Sequence, residues 1–160
     1  FERISDHAAG IAMAYGKMKE KELTFSAKAQ EELEIFSRAV LRMLAISEGI
    51  FREENADSLY EAQALREVIG ELGAQVRKRH VKRLRKGKCT VELGFLLADI
   101  VTAYERIAAH CAQIAVSVVQ VWEEDSMEMH GYSIESREKR RDEEQFRTLY
   151  EGLRQEYVLP

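Results

Sequence analysis

Residues 2–12 of the chain read ERISDHAAGIA, and an altered copy, ERIAAHCAQIA, returns at residues 105–115. The two stretches align without a gap, and seven of their eleven positions are identical. Self-similarity of this kind within one chain indicates a duplicated structural unit. We call residues 2–12 copy one and residues 105–115 copy two.

The two copies differ at an acidic position. Copy one has Glu2 and Asp6 four residues apart, so on a helix both carboxylates lie on the same face. Copy two keeps Glu105 but has Ala109 in place of the second carboxylate. Carboxylate oxygens suit Mg, Ca, Mn or iron. Glu2 and Asp6 are therefore candidate metal ligands, and the alternative is a solvated acidic edge that pairs with arginine.

Histidine and arginine recur in step with the acidic positions. His7 and His110 occupy the same place in the two copies, as do Arg3 and Arg106. A di-iron bundle uses Glu-x-x-His, and that spacing is absent from copy two, so we expect each histidine to form a bond across a bundle interface. Asp99 lies about 120° around the helix from the glutamate of copy two. We expect Asp99 either to pair with an arginine such as Arg3 or Arg106, or to cap a neighbouring unit.

Composition and motifs favour an all-α soluble domain, and they argue against a disulfide-linked protein, a zinc-binding protein and an enzyme. The 160 residues include nine Gly and one Pro, and the formal net charge is −4. Two cysteines, Cys89 and Cys111, form neither a disulfide framework nor a zinc pattern. No catalytic triad and no phosphate-cradling glycine loop is present, so we expect no enzyme.

Apolar residues recur at spacings of three and four along most of the chain. The pattern predicts five helices, over residues 1–22, 27–54, 58–86, 90–123 and 135–156. We expect Ser26, Thr90 and either Asp57 or Ser58 to cap helices, and Gly87 to end the third helix. Gly70 and Gly73 lie inside that helix, which predicts close helix packing at both.

The predicted helices divide the chain into three parts. We expect a three-helix bundle over residues 25–123, with a loop and a C-terminal docking helix over residues 124–160. Residues 1–24 are expected to be the closing helix of a preceding, truncated unit. Because Phe1 stands within a helical pattern without an N-cap before it, we interpret the sequence as a piece of a longer protein.

Residues 77–88 form a dense basic segment. It contains eight Lys or Arg and no acid, so the rest of the chain carries 16 basic against 28 acidic residues, or −12. Such a segment can meet anionic lipid or phosphate, and the alternative is a solvated helix end favoured by the helix dipole. Little aromatic interleaving argues against nucleic acid. The candidate contact residues are Arg77, Lys78, Arg79, Lys82, Arg83, Arg85, Lys86 and Lys88.

The sequence resembles the PhoU-like domain, and more narrowly the cytoplasmic C-terminal region of bacterial sodium/phosphate cotransporter family proteins. The resemblance spans roughly residues 1–122, and it is weaker around His130 and Tyr132. It is carried by ERISDH at residues 2–7, FS at 25–26, HVKRL with GKC at 80–89, and residues 99–114.

The resemblance implies two related three-helix bundles and a regulatory or accessory role in phosphate transport, not catalysis. It also implies a divalent metal or iron at Glu-x-x-x-Asp, a motif that Glu2 and Asp6 match fully and Glu105 only in part. The expected partner is the transmembrane portion of the same chain, at the cytoplasmic face of the inner membrane. Anionic lipid of the inner leaflet and further copies of the chain are two other partners that the sequence leaves open. The alternatives are a free-standing PhoU-type adaptor and a protein whose purpose is metal binding.

Overall fold

The computed structural model describes residues 1–53, 58–127 and 135–160 of the chain, and the side chains of residues 1–52, 58–121 and 143–160. Its helices are α1 (Glu2–Glu20), α2 (Ala27–Glu53), α3 (Leu59–Arg85), α4 (Val91–Met127) and α5 (Glu135–Glu156). All regular structure in these ranges is helical, which confirms the predicted all-α fold. The predicted turn that includes Asp57, and the loop around His130 and Tyr132, lie outside the described residues.

Three of the predicted helix-end signals are confirmed. Ser26 accepts a hydrogen bond from the backbone N–H of Ala29 at 3.4 Å, and Thr90 accepts one from that of Leu93 at 3.2 Å. Gly87 has φ +65°, the left-handed conformation of a C-terminal stop. One expectation is wrong, because α4 continues past residue 123, where acidic residues are compatible with a helix interior. Ser58 occupies the N-cap position of α3 without a side-chain capping hydrogen bond, and the alternative cap, Asp57, lies outside the described residues.

Helices α2, α3 and α4 pack against one another and enclose the core. Burying aliphatic and aromatic side chains stabilises such a core by roughly 1.5–3 kcal/mol for each large side chain. The largest fully buried apolar side chains are Phe36, Met43, Ile50, Leu65, Ile69, Leu72, Leu97 and Ile100.

No helix in the described ranges is both long and apolar enough to cross a membrane.

The two outer helices pack on different helices of this bundle. Helix α1 packs on α4, and α5 packs on α3. Lys21 pairs with Glu92 at one end of the α1–α4 contact, and His7 meets His110 towards the other end, so the two helices run antiparallel.

The apolar side chains of α1 are only partly buried. Ala14 and Met18 are enclosed, whereas Phe1 is 69% exposed and Tyr15 is 43% exposed. Met13 is also largely exposed. Because α1 is covered mainly along its α4 side, these three large side chains face solvent.

Only one of the two predicted glycine contacts is present. A Cβ at Gly73 would lie 2.1 Å from a carboxylate oxygen of Glu105, so the side chain of Glu105 on α4 packs directly against α3 at this glycine. A Cβ at Gly70 would meet nothing within 4 Å. The expectation for Gly70 was wrong because it lies on the exposed side of α3, a distinction that the sequence pattern did not resolve.

Candidate functional site

The contact between α1 and α4 brings the two copies of the repeat together. The rings of His7 and His110 stack with centroids 5.5 Å apart and an interplanar angle of 17°. Each histidine is the sixth residue of its copy, and the two helices are antiparallel. Equivalent residues that meet across antiparallel helices indicate an approximate two-fold relation. Each histidine thus contacts a partner across a helix interface, and that partner, the other histidine, was not specified by the sequence.

Glu2 and Asp6 lie exposed on one face of α1, in the geometry expected from their spacing. Among the side chains that the structure describes, no three or more His, Cys, Asp or Glu come together as a group that could hold a metal ion. Glu2 and Asp6 therefore form a pair of carboxylates without a third protein ligand from the described chain.

Glu105 lies against α3 and is held by an arginine. Arg77 donates two hydrogen bonds to its carboxylate, at 2.7 and 2.5 Å. This pair occupies the space that Gly73 leaves open. The structure thus engages Glu105 in an interhelical ion pair and does not gather it with Glu2 and Asp6 into one metal-binding group.

The expected ion pairs of Asp99 are not formed. Asp99, Arg3 and Arg106 are all exposed, and no ion pair joins Asp99 to either arginine in the structure. Asp99 lies on a solvent-facing part of α4, where none of the arginine side chains that the structure describes comes within ion-pair distance. The alternative, that Asp99 caps a neighbouring unit, remains a prediction.

The basic segment has an inward-facing part that the sequence pattern did not reveal. Arg83 donates to both carboxylate oxygens of Glu32 on α2, at 2.8 Å each, and Arg79 reaches the same carboxylate at 3.5 Å. Glu32 is only 2% exposed. Glu32 lies beside Leu33 and Phe36 on the apolar face of α2. This position could have identified Glu32 from the sequence as a buried carboxylate, because a glutamate there needs a cationic partner.

Arg79 also holds the end of the chain. It donates to the backbone carbonyls of Leu159, at 3.3 Å, and of Pro160. The guanidinium group therefore links α2, α3 and the residues that follow α5.

His80 is buried between α3 and α4. It is 5% exposed, and Gly94 on α4 leaves room for its ring, since a Cβ there would lie 2.9 Å from Nε2. The thiol of Cys89 lies 3.8 Å from Nδ1. Burial, reinforced by the nearby Arg83 charge, lowers the pKa of His80 below its usual value.

The remaining cations of the basic segment face solvent. We call them the outer basic group. Its side chains are exposed, and none of them forms an ion pair with another described residue. The outer basic group consists of Lys78, Lys82, Arg85, Lys86 and Lys88.

Comparison with known proteins assigns this architecture to a family. The family model for the PhoU domain matches residues 33–118, which cover most of α2 and α4 and all of α3. A relative is the phosphate-specific transport system accessory protein PhoU homolog 1 of Thermotoga maritima, which is 25% identical over 120 residues.

The match covers 75% of this chain and 51% of that relative, so the chain spans about half the length of the protein it matches. No solved structure matched the chain. Since the family match extends over more than half of the 160 residues, the chain belongs to the PhoU domain family.

Proposed function

We propose that this chain is a regulatory or accessory part of a phosphate transport system, and that it acts through contacts with other proteins, not through catalysis. The family match over the three-helix bundle is the observation that carries the proposal. The name of the Thermotoga maritima relative, a phosphate-specific transport system accessory protein, supports it.

Two forms of this function follow from the sequence. The chain is either a domain of a sodium-dependent phosphate transporter at the cytoplasmic face of the bacterial inner membrane, or a free-standing PhoU-type adaptor. The relative is described as an accessory protein, which favours the adaptor. The dense basic segment is the feature that favours proximity to a membrane.

Deleting the coding region for residues 1–160 tests the proposal. We expect altered phosphate uptake, or altered control of uptake, when cells are compared in phosphate-rich and phosphate-poor medium. Unchanged uptake in both media would contradict it. To separate the two forms, the native protein is followed through an alkaline carbonate wash of membranes. An integral transporter remains in the pellet, whereas a free adaptor is released.

The division of the chain is also a proposal. We infer that residues 25–123 are the structural unit and that α1 closes a neighbouring one, an inference supported by the exposed Phe1, Met13 and Tyr15. A protein that comprises residues 25–160 should remain helical and unfold cooperatively, at a lower temperature because Met18 no longer covers the bundle. Loss of cooperative unfolding in circular dichroism would show that α1 belongs to the unit itself.

Glu2 and Asp6 are proposed as the carboxylates that bind a divalent cation or iron. Their exposure and common face fit a hard cation, with water or groups outside the described residues completing its coordination. Glu105 can take part only when it leaves Arg77. The metal content of the double variant Glu2→Gln/Asp6→Asn should fall, whereas Glu31→Gln/Glu34→Gln on α2 should leave it unchanged. Equal metal content in both variants would refute this assignment.

A further inference from the structure

We propose that the end of the bundle formed by the α3–α4 connection binds an anionic phospholipid surface. This inference rests on the membrane-proximal form of the proposed function and deepens it, and vesicle binding is measured separately from any effect on phosphate uptake. It rests on the outer basic group and on three exposed apolar side chains beside it.

The cations of α3 lie on one outward stripe. Lys78, Lys82 and Arg85 are spaced by four and three residues, so they share a helix face. All three are exposed, in contrast to Arg79 and Arg83, which turn towards Glu32. Folding therefore separates the arginines that stabilise the bundle from the cations that remain available to a ligand.

The connection that follows continues the charge. Lys86 and Lys88 are exposed on either side of the turn at Gly87. The nearest acid in the following helix, Glu92, is already paired with Lys21 of α1. This end of the molecule is thus positive, although the chain outside residues 77–88 has a net charge of −12, from 16 basic and 28 acidic residues.

Large apolar side chains stand exposed at the same end. Val81 lies within the cationic stripe of α3 and is 45% exposed. Val91 and Phe95 are one turn apart at the start of α4 and are 67% and 69% exposed. A free phosphate ion would make no use of these side chains, whereas an interfacial contact combines cations at the headgroups with apolar residues inserted below them.

The proposal is tested by sedimentation of the full chain with large vesicles. We expect binding to phosphatidylcholine vesicles that contain one third phosphatidylglycerol, little binding to pure phosphatidylcholine, and weakening by added salt. The triple variant Lys78→Gln/Lys82→Gln/Arg85→Gln should reduce the partition coefficient by on the order of 100-fold. Its control is Arg38→Gln/Arg52→Gln/Arg147→Gln, which removes three exposed cations elsewhere.

A second variant tests the apolar contribution separately. Val91→Ser/Phe95→Ser should weaken binding by about tenfold, and both side chains are exposed enough that circular dichroism should show an unchanged fold. Failure to bind the anionic vesicles would overturn the proposal, as would equal losses in the two triple variants. Release of the bound protein by inorganic phosphate at constant ionic strength would assign the surface to a soluble anion, and tighter binding to single-stranded RNA would assign it to nucleic acid.

Discussion

The charged residues near the end of α3 have distinct roles that depend on which way each side chain points. Arg83 and Arg79 face Glu32, which is almost completely buried, while Lys78 and Lys82 face solvent. A carboxylate removed from water is tolerated only with cationic hydrogen-bond partners. The ion pair of Glu32 is therefore part of how α2 and α3 are held in register.

Replacing Glu32 by Gln should destabilise the protein by about 2 kcal/mol. This is less than the roughly 3–5 kcal/mol for a fully buried pair, because the side chains of Arg79 and Arg83 are 33% and 15% exposed and can partly rehydrate. Urea denaturation measures the change. Glu31→Gln, at an exposed position on the same helix, should change stability by less than about 0.5 kcal/mol, and equal losses in the two variants would contradict the argument.

The two cysteines should react at very different rates. Cys111 is fully buried, and burial raises the pKa of its thiol to about 11, while Cys89 is partly exposed. Because the thiolate is the reactive form, a thiol-specific reagent near pH 8 should modify one cysteine of the native protein and the second only in denaturant. Native Cys89→Ser should not react, and rapid labelling of that variant would disprove the prediction.

At the scale of helices, two glycines leave room for polar side chains in the contact between α3 and α4. Gly73 leaves room for the carboxylate of Glu105, which is held by Arg77 from the next turn of α3. Gly94 on α4 likewise leaves room for the ring of His80. At both levels, a polar side chain of one helix therefore packs against a glycine of the other.

Gly73→Ala and Gly70→Ala should have opposite effects on stability. At Gly70 a Cβ meets nothing within 4 Å, so alanine should stabilise α3 by about 0.5–1 kcal/mol. At Gly73 the Cβ would displace Glu105 from Arg77, and we expect a net loss of about 1 kcal/mol. Thermal unfolding of both variants provides the measurement.

A double variant identifies the cause of that loss. In a Glu105→Ala background the Cβ at position 73 no longer displaces a carboxylate, so Gly73→Ala should become stabilising or neutral. A loss that persists in this background would mean that the backbone contact, and not the ion pair, determines the outcome.

At the scale of the whole molecule, the two copies of the repeat face each other, and charge is unevenly distributed. The stacked pair of His7 and His110 relates copy one to copy two across α1 and α4. The positive end of the α3–α4 connection contrasts with a predominantly acidic remainder. The first feature arises from packing between helices distant in sequence. The second follows from the basic segment at residues 77–88, five of whose cations face solvent.

The buried His80 should make the stability of the whole domain depend on pH. Because its folded-state pKa lies below the unfolded value, the unfolded chain binds a proton more readily, and the stabilising contribution is complete above about pH 6.5 and decreases as pH falls. The melting temperature of the wild type should therefore drop more between about pH 7.5 and pH 5.5 than that of His80→Gln. Parallel pH profiles would contradict this role for His80.

The sequence alone determined the fold class, the helix positions and several helix ends, because these depend on local periodicity and on the conformations that Ser26, Thr90 and Gly87 favour. It also identified the duplication and the basic segment. The metal role predicted for Glu2, Asp6 and Glu105 remains a prediction, and so does the assignment to a transporter.

Only the tertiary structure decided which charges pair and which remain free. Glu32 lies on α2 whereas Arg79 and Arg83 lie on α3, and no local pattern specifies that they meet. No local pattern specifies that Glu105 meets Arg77. Nor does one specify that Gly73 faces a side chain of α4 whereas Gly70 faces open space. Periodicity specifies which face of a helix is apolar, but the rotation and distance between packed helices determine which side chains come within hydrogen-bonding reach.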